Sequence, residues 1–417
     1  MKLFLSITLF DISTPAFYNA CMKNLFKNLL LLLFVTIIVL LVAEGIFRLT
    51  RKADALEIST GKMNSKYHHA LEPNSELRMA SSVSGEFDVT AHINNFGFRG
   101  PQMDEAKKPG QKRIFIVGDS FTFGVGAKDN ETIPFLLQQK LDPTREKIEI
   151  VNDGHGHYSP LIYYLRFRDE IQKFKPDMVI MMLDFSDIWD DWHFERMAVR
   201  DAAGDIIAVN PYYENGKFNL WNYLRANSVM CKYLHNKMVR TVLKIQKLGL
   251  KNYLKAKIEG KRAKAVIATG GEESIDQDGK IFLRGSLKAA EIKKHFPRTA
   301  KYILMCRDLT NANGAQFILV MYPYGIQVGP NQWNEGRVFW GFEKGKLYDD
   351  LFSFNLVENF AKENGIPFIK ILNELRAHAD EKLYFDYDGH LTPRGNEIVA
   401  ETLVSALVYE SLGSAQK

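Results

Sequence analysis

The sequence predicts an α/β fold, in which a parallel, doubly wound sheet follows an N-terminal transmembrane helix and carries an inserted helical cap. Three patterns predict it. From residue 113 onward, short apolar segments rich in β-branched residues alternate with segments of helical spacing, as in parallel sheets joined by helices. An apolar run occupies residues 29–47, before this alternation begins. Between about 190 and 305 the alternation stops and then resumes, which indicates an insertion.

The apolar run near the N-terminus has the length of a membrane span. Its nineteen residues would form a helix of about 28 Å, close to a bilayer core of roughly 30 Å. Glu44 lies near the end of the run, where it can reach the interface. A cleaved signal peptide is the alternative, but cleavage after Ala43 would put Leu41 where a small residue is needed. We therefore predict an uncleaved, single-pass anchor in the lipid bilayer, with a periplasmic or extracellular domain after it.

The chain is expected to contain four parts. Met22 is an alternative start to Met1, because Lys23, Lys27 and the apolar run follow it like the opening of an exported protein. Positive charges flank the run on both sides, so they leave its orientation open. The predicted parts are an N-terminal extension at 1–24, a transmembrane anchor at 25–52, lead-in strands and turns at 53–110, and an α/β domain at 111–417 with the cap at about 190–305.

Composition narrows the classes of function. Hydrophobic residues make up 46% of the chain and charged residues 25%, as in globular proteins with a sizeable core. The net charge is +5, but residues 225–264 hold twelve Lys or Arg and one acid. This basic segment has two interpretations, the solvated face of cap helices or a helix lying on anionic lipid headgroups. Three cysteines occur without a CxxC pair, and no nucleotide-binding or nucleic-acid motif is present, so we predict no metal, no cofactor and no nucleic-acid partner.

The strands and helices of the α/β domain are predicted in chain order. Each strand is a short apolar run bounded by turn residues, and each helix has apolar residues at intervals of three and four. Thr392 and Pro393 open the last helix, since threonine caps helix N-termini and proline suits the first helical position. The predicted strands are 113–117, 147–151, 178–183, 316–321 and 367–371, and a hairpin is expected around Gly204.

The stretch 113–126 is the first candidate for chemistry. Gly118 permits a sharp turn, and Ser120 follows just past the carboxyl end of the predicted strand, where open α/β sheets bind ligands. A hydroxyl on such a turn, with glycine amides around it, suits a nucleophile beside an oxyanion site. A dehalogenase-type phosphatase would need an acid at Phe121, and a phosphate-binding loop would need Gly-Lys-Ser/Thr, which is missing.

A second candidate lies near the C-terminus, directly before the last predicted helix. His390 stands on a loop, and Asp388 precedes it by two residues, so that its carboxylate can orient the imidazole. Taken alone, a loop histidine near an acid is often a surface residue. Together with Ser120, which lies a complete series of α/β units earlier, it fits a Ser–His–Asp arrangement, which is recognised by geometry and not by order along the chain.

These motifs occur together in the order of a known family. Gly118-Asp119-Ser120-Phe121, the loop at 152–158, the acidic end of the third strand and Asp388-Gly389-His390 resemble the blocks of the SGNH/GDSL hydrolase superfamily, from about residue 113 to 412. The anchor and the segment 95–100 are similar to its membrane-anchored bacterial members. The resemblance implies a flavodoxin-like, three-layer α/β/α sandwich and ester chemistry through a serine nucleophile.

The resemblance also implies roles for individual residues. Ser120 would attack an ester carbonyl, His390 would act as the base, and Asp388 would orient His390, with Asp386 as the reserve acid. The family more often has this acid three residues before the histidine, where this chain has Tyr387. The oxyanion would be held by the backbone N–H of Ser120, by a backbone N–H at Gly156 or His157, and by the Ser186 side chain. Supporting residues would be Asp119, Asp187 and Asp386.

Two of the blocks depart from the family pattern. His157 stands where the family has an oxyanion-hole glycine, and Ser186 stands where it has an asparagine. A backbone amide survives the first change, and a serine hydroxyl can still donate, but it is shorter than the asparagine amide. Removing one oxyanion donor typically lowers the rate by about 10²–10³-fold.

Three functions therefore remain open from the sequence. The first is a serine-dependent esterase or O-acyltransferase that acts on acyl esters of an envelope carbohydrate or lipid. The second is a catalytically degenerate hydrolase fold that serves as an envelope binding or assembly protein. The third is a metal-dependent phosphoesterase. The acidic and histidine side chains that motivate the third are Asp119, Asp153, His155, His157, Asp184, Asp187, Asp388 and His390.

Overall fold

The structure of the chain is a computed structural model that describes residues 15–50, 59–81, 85–248, 250, 285–338 and 342–414. The first part of the predicted N-terminal extension at 1–24 and the far end of the basic segment lie outside these residues. An N-terminal helix leads to four short strands, and an α/β domain follows. These elements are α1 (Pro15–Thr50), β1 (Lys62–Asn64), β2 (His68–Ala70), β3 (Glu76–Ala80) and β4 (Asp88–His92).

The α/β domain contains the remaining strands and helices. The strands are β5 (Lys112–Gly118), β6 (Ile148–Gly154), β7 (Met178–Leu183), β8 (Ala198–Arg200), β9 (Ile206–Val209), β10 (Tyr213–Glu214), β11 (Lys217–Phe218), β12 (Gln316–Met321) and β13 (Phe368–Lys370). The helices are α2 (Ser120–Phe123), α3 (Ile133–Leu141), α4 (Pro160–Asp169), α5 (Asp187–Arg196), α6 (Leu220–Asn227), α7 (Val229–Leu248), α8 (Gly285–Ala312), α9 (Gly325–Val328), α10 (Phe352–Glu363), α11 (Leu372–Ala377) and α12 (Pro393–Ser414). The predicted strands and the predicted final helix therefore fall on observed ones, with ends that shift by up to three residues.

The central sheet has five parallel strands in the order β13-β12-β7-β5-β6. In chain order this is 2-1-3-4-5, the flavodoxin-like arrangement, which places a crevice where the order reverses between β5 and β7. The side chains of Ile114, Phe115, Ile116 and Val117 are all buried, because both faces of the sheet are covered. The predicted α/β fold with a parallel sheet is confirmed.

Helices cover the two faces of the sheet. On one side α3 packs against α12, and α12 also contacts α11. On the other side α8 packs against α4, α5 and α10. These are the three layers of the sandwich. The cap expected at about 190–305 therefore overlaps α5 and α8, which belong to a layer of the sandwich, while β8–β11, α6 and α7 lie between them in the chain. The hairpin around Gly204 is present as β8 paired with β9.

The lead-in segment forms two antiparallel hairpins, β1–β2 and β3–β4. Its end extends to the main sheet, since the backbone of Arg99 pairs with Asn152 at the end of β6. Phe87, Val89 and Ala91 of the second hairpin pack with Phe385 into a small core beside the main one. The lead-in therefore packs on the α/β domain at the same edge as the carboxyl ends of its strands.

Helix α1 stands apart from the domain over most of its length. Residues Met22–Thr50 are long and apolar enough to cross a membrane, with a mean hydropathy of 2.9 in their most apolar window, none of which is buried inside the protein. Its large side chains from Met22 to Val42 are exposed. Among the described residues, the end of the helix near Glu44 makes contact with the rest of the chain, against α7. This is weak support for the predicted anchor, since a signal sequence has the same properties.

Candidate active site

The turn after β5 positions the hydroxyl of Ser120. Asp119 caps the one-turn helix α2 by accepting a hydrogen bond from the N–H of Phe121 at 2.9 Å. A Cβ on Gly118 would lie 2.0 Å from the Thr122 hydroxyl oxygen, so the turn closes only because position 118 has no side chain. Ser120 is 6% exposed. The candidate nucleophile is therefore nearly buried, on a tight turn at the carboxyl end of β5.

The loop before α12 brings His390 to the same place. A bridge between Tyr384 and Leu391 closes this loop. Gly389 has a φ of 90°, and a Cβ there would lie 2.7 Å from the Trp333 ring, so the turn requires glycine twice over. The imidazole also packs on Phe121, with the ring centroids 4.8 Å apart. Tight backbone geometry and ring packing together orient His390.

Three side chains form a continuous hydrogen-bonded chain. The Nε2 atom of His390 lies 2.7 Å from the Ser120 Oγ, and its Nδ1 atom lies 2.5 Å from the Asp388 Oδ1. The same Asp388 oxygen accepts the backbone N–H of His390 at 3.2 Å. Burial disfavours the ionised carboxyl, but the charge and hydrogen bonds of His390 outweigh burial and lower the pKa of Asp388. This is the geometry in which an imidazole takes a proton from a hydroxyl.

Asp386, the reserve acid, points elsewhere. Its Oδ2 atom lies 2.8 Å from the Lys382 ammonium, and its backbone oxygen accepts the N–H groups of Glu335 and Gly336. The structure therefore brings Asp388, and not Asp386, into contact with His390.

The residues expected on the oxyanion side lie at the ends of β6 and β7. His157 has a φ of 61°, a backbone conformation that glycine adopts more easily. The N–H of Gly156 donates to the Ser59 oxygen at 3.1 Å, so this amide is occupied by the lead-in segment. The hydroxyl of Ser186 donates to Asp190 at 3.3 Å.

Buried carboxyl groups surround the nucleophile turn. The Asp184 carboxylate accepts the N–H of Ser186 at 2.6 Å and the Tyr324 hydroxyl at 3.0 Å. Burial raises the pKa of Asp119 well above its usual value, and the nearby Asp184 carboxyl raises it further. Burial and Asp184 likewise raise the pKa of Asp187. Raised pKa values favour neutral carboxyls here, which reduces the repulsion that a developing oxyanion would meet.

Asp191 provides a pH test of this buried acidic region. One of its oxygens accepts the Ser159 hydroxyl at 2.6 Å and the Leu161 N–H at 2.9 Å. Burial raises the pKa of Asp191 to about 7, although these two hydrogen bonds lower it. A raised carboxyl pKa means that the folded state holds the proton more tightly, so stability is lost as the pH rises towards and through 7.

We expect Asp191→Asn to remove this loss, because the amide keeps the shape and carries no charge. Between pH 6 and pH 8 the wild type should lose about 1.4 kcal/mol of unfolding free energy through Asp191, and the variant should not. Thermal unfolding of both proteins at the two pH values measures the difference. Equal pH dependence of the two proteins would contradict the prediction, and Asp205→Asn in the exposed β8–β9 turn is the control.

Arg99 braces the loop that follows the nucleophile. Its side chain is 1% exposed. The guanidinium donates to the backbone oxygens of Phe123, Gly124 and Ala127 at 2.7–2.9 Å and to the Asp129 carboxylate at 2.9 Å. The segment 95–100 was singled out from the sequence for its family resemblance, but its pattern did not reveal this contact with a loop 24 residues away.

We expect Arg99→Lys to lower the unfolding free energy by roughly 2–4 kcal/mol, because lysine cannot reach three carbonyl oxygens and they stay buried without donors. Denaturant unfolding of the variant measures the loss. Arg78→Lys is the matched control, since Arg78 is exposed and forms an ion pair with the exposed Asp88, and it should change stability by less than about 0.5 kcal/mol. Equal stabilities for the two variants would rule out the bracing role.

Glu86 holds the loop that carries Asp388 and His390, and the sequence did not indicate this role. Its carboxylate accepts the backbone N–H groups of Tyr387 and Asp388, each at 3.1 Å. Phe87 packs beside it on Phe385, with ring centroids 5.0 Å apart. No local pattern marks Glu86, because its partners lie about 300 residues later in the chain. It is a positioning residue, since it touches the loop and not the reacting atoms.

For the ester hydrolysis that the sequence predicts, we expect Glu86→Ala to lower kcat by about tenfold with little change in KM, because the loop that carries Asp388 loses two charge-assisted hydrogen bonds. Steady-state kinetics on a soluble acyl ester separate the two constants. Glu86→Gln should recover part of the loss through its remaining amide oxygen, and Glu76→Ala, on an exposed part of the same hairpin, is the control. An unchanged kcat in Glu86→Ala would show that the loop keeps its position without Glu86, which would contradict the positioning role.

The residues proposed as metal ligands lie around the same edge of the sheet. His155 is buried with its ring stacked on Tyr158 at 4.3 Å, and its Nδ1 atom lies 3.6 Å from Asp153. Asp153 is itself paired with Arg166 at 2.7 Å. Among the described residues, no three His, Cys, Asp or Glu side chains are grouped in a way that could hold a metal ion.

Comparison with known proteins gives structural neighbours only. No protein-family model matches the chain, and no curated protein matches it. A crystal structure of the acetyl xylan esterase AlAXEase shares 15% identity, covers 70% of this chain and 98% of its own, and has a TM-score of 0.35. A catalytic mutant of the acetylxylan esterase Axe2 from Geobacillus stearothermophilus shares 12% identity, with 71% and 94% covered and a TM-score of 0.34.

A GDSL-like lipase from Bacteroides thetaiotaomicron shares 13% identity, with 74% of this chain and 93% of its own covered and a TM-score of 0.33. At such identities and scores, the function of this chain has to be argued from its own residues.

Proposed function

We propose that this chain is a serine-dependent acyl-ester hydrolase or O-acyltransferase of the SGNH/GDSL superfamily, of its membrane-anchored type. One observation carries the proposal: Ser120, His390 and Asp388 form an unbroken hydrogen-bonded chain at the carboxyl end of the sheet. Ser120 and His390 come from loops 270 residues apart. Each loop has a glycine, Gly118 or Gly389, at which a side chain would collide with a neighbouring residue. Such an arrangement suits nucleophilic attack on a carbonyl.

In the proposed mechanism, His390 accepts the proton of Ser120 as the hydroxyl oxygen attacks the ester carbonyl. Asp388 holds the imidazole in the tautomer that has its acceptor nitrogen towards Ser120, and it stabilises the imidazolium that forms. The imidazolium then donates its proton to the leaving alcohol, and an acyl-serine remains. Water or a sugar hydroxyl, deprotonated by His390, releases the acyl group and restores the serine.

In this mechanism the oxyanion is held by the backbone N–H of Ser120, by the backbone N–H of His157 and by the Ser186 hydroxyl, which has to turn away from Asp190 to donate. The raised pKa of Asp119, caused first by burial and then by Asp184, disfavours a negative charge next to the nucleophile. Asp187 supports the turn after β7, since its carboxylate accepts the Asp184 N–H at 3.3 Å. Each donor is expected to contribute because the site is shielded from water and the groups are fixed before reaction.

The proposed substrate is an acyl ester of an envelope carbohydrate or lipid. Helix α1 supports this proposal, because a single N-terminal anchor would hold the domain at a membrane, on its periplasmic or extracellular side. We propose no cofactor and no nucleic-acid partner, since all steps use side chains of this chain.

A degenerate, non-enzymatic protein is the second candidate. Two observations favour it: the amide of Gly156 is occupied by Ser59, and the hydroxyl of Ser186 is directed to Asp190. A protein of this kind would keep the fold and bind an acylated ligand without turning it over.

The experiment that separates these candidates uses the full chain in detergent or nanodiscs. A fluorophosphonate probe should label the wild type and leave Ser120→Ala unlabelled, and hydrolysis or transfer from short acyl esters should resist a chelator. A well-folded wild type without labelling or turnover would support the degenerate protein. Turnover that a chelator abolishes would support a metal-dependent phosphoesterase or esterase.

A further inference from the structure

Two helices of the inserted segment expose apolar side chains to solvent. Helix α6 and helix α7 follow each other directly, and their side chains include large apolar groups that are 39–61% exposed. On α7 these groups recur every fourth residue, so they share one face of the helix. These exposed side chains include Leu220, Trp221 and Leu224 on α6, and Leu234, Met238 and Val242 on α7.

The end of α1 is fastened to the start of α7. The Glu44 carboxylate accepts the Ser228 hydroxyl at 2.6 Å and the N–H groups of Val229 and Met230 at 2.9 and 3.0 Å. It therefore caps the N-terminus of a twenty-residue helix, whose first amides need an acceptor. Arg48, which pairs with Glu44 at 2.7 Å, also donates to the Asn227 oxygen at 2.6 Å.

Ring packing strengthens this junction, since Phe47 and Tyr233 lie with their centroids 5.2 Å apart. The junction lies at the C-terminal end of the apolar run, since Glu44 and Phe47 are about 22 and 27 Å along the helix from Leu29. If α1 crosses a bilayer, α6 and α7 consequently stand at the level where the hydrocarbon core gives way to headgroups. The hydrogen bonds of Glu44 to the start of α7 account for an acidic residue near the end of a membrane helix.

The charge of this segment complements an anionic lipid surface. Residues 217–250 contain seven Lys or Arg and no Asp or Glu. Those with described side chains are Lys217, Arg225, Lys232 and Lys237. Long basic side chains beside an exposed apolar stripe are typical of helices that lie in the membrane interface, with their stems in the apolar zone and their charges at the phosphates.

We propose that α6 and α7 form a membrane-surface platform, which lies on the headgroup region of the bilayer that α1 crosses and binds anionic phospholipid. The proposal rests on the proposed anchor and adds a second contact to it. Continuity with the end of α1, the basic charge and the exposed apolar stripe together select a lipid surface over a second copy of this chain. In this proposal α1 and the platform contact the same bilayer, and together they fix how the domain faces the membrane.

The test uses the full chain in nanodiscs of phosphatidylcholine with about 30% phosphatidylglycerol, prepared with ordinary or brominated acyl chains. Brominated lipid quenches only tryptophans that are in contact with the bilayer. We expect quenching in the wild type, a loss of about half of it or more in Trp221→Phe, and no loss in Trp192→Phe, which removes a tryptophan that packs on His295.

A second variant tests the face itself. Met238→Glu should reduce the quenching of Trp221 severalfold, whereas Leu347→Glu, at an exposed leucine outside the platform, should leave it unchanged. Incorporation into nanodiscs without quenching of Trp221 would overturn the platform and leave the anchor standing. Disulfide cross-linking between copies through Met238→Cys, without quenching, would assign the face to a second copy. Failure to enter nanodiscs would overturn both the anchor and the platform.

Discussion

Ser120→Ala is expected to lower kcat/KM for acyl-ester hydrolysis by about 10³-fold or more, because no other group can form the acyl intermediate and only binding and oxyanion stabilisation remain. The Ser120 Oγ is the atom 2.7 Å from the imidazole, and Ser120 is buried. Initial-rate kinetics and fluorophosphonate labelling measure the loss.

The control for this prediction is Ser405→Ala, which removes a hydroxyl on the exposed side of α12 and should keep full activity and labelling. Circular dichroism of both variants establishes that each is folded. If Ser120→Ala keeps more than about a tenth of the wild-type rate, the acyl-serine mechanism is wrong.

Asp388→Asn is expected to lower kcat by roughly 10³–10⁴-fold, because an amide in this position stabilises the imidazole tautomer with a proton on the wrong nitrogen. The Asp388 Oδ1 atom accepts both the imidazole and the backbone N–H of His390. The lowered pKa of this carboxyl keeps it ionised at neutral pH, so the effect should persist across the neutral range.

Asp386→Asn is the matched control, since the same change is made two residues away on the same loop. Asp386 pairs with Lys382, and we expect less than about a twofold change in kcat. The opposite result, with Asp386→Asn inactive and Asp388→Asn active, would mean that the loop rearranges during the reaction and that the orienting acid is Asp386.

Much of the fold could be predicted because it depends on short-range patterns. Strands β7 and β12 begin and end at the same residues as the apolar runs that predict them, and helix α12 begins at Pro393. The insertion was harder to delimit, because α5 and α8 lie at its predicted borders and carry no local sign that they pack on the sheet. Whether a helix belongs to a layer of the sandwich depends on its packing partners. Helix α8 packs against α4, about 140 residues earlier in the chain, and local sequence does not reveal such a partner.

The candidate site was predictable only in its outline. Ser120 and His390 each stand in a motif with recognisable turn chemistry, and the parallel topology brings their loops to one edge of the sheet. The choice between Asp388 and Asp386 was open, since both lie within reach in the sequence. The choice between Gly156 and His157 is also open in the sequence, and the hydrogen bond from the Gly156 N–H to Ser59 is visible only in the folded chain.

By itself, therefore, the sequence determined the α/β fold, the apolar N-terminal helix and the two loops that carry the candidate nucleophile and base. Periodicity and turn residues act over a few positions, so they can be identified without knowledge of the fold. Only the tertiary structure decided that Glu86 holds the histidine loop, that Arg99 holds the nucleophile loop and that Glu44 caps α7. These are single polar contacts between distant segments, and a buried or capping partner becomes visible only once folding has brought the two segments together.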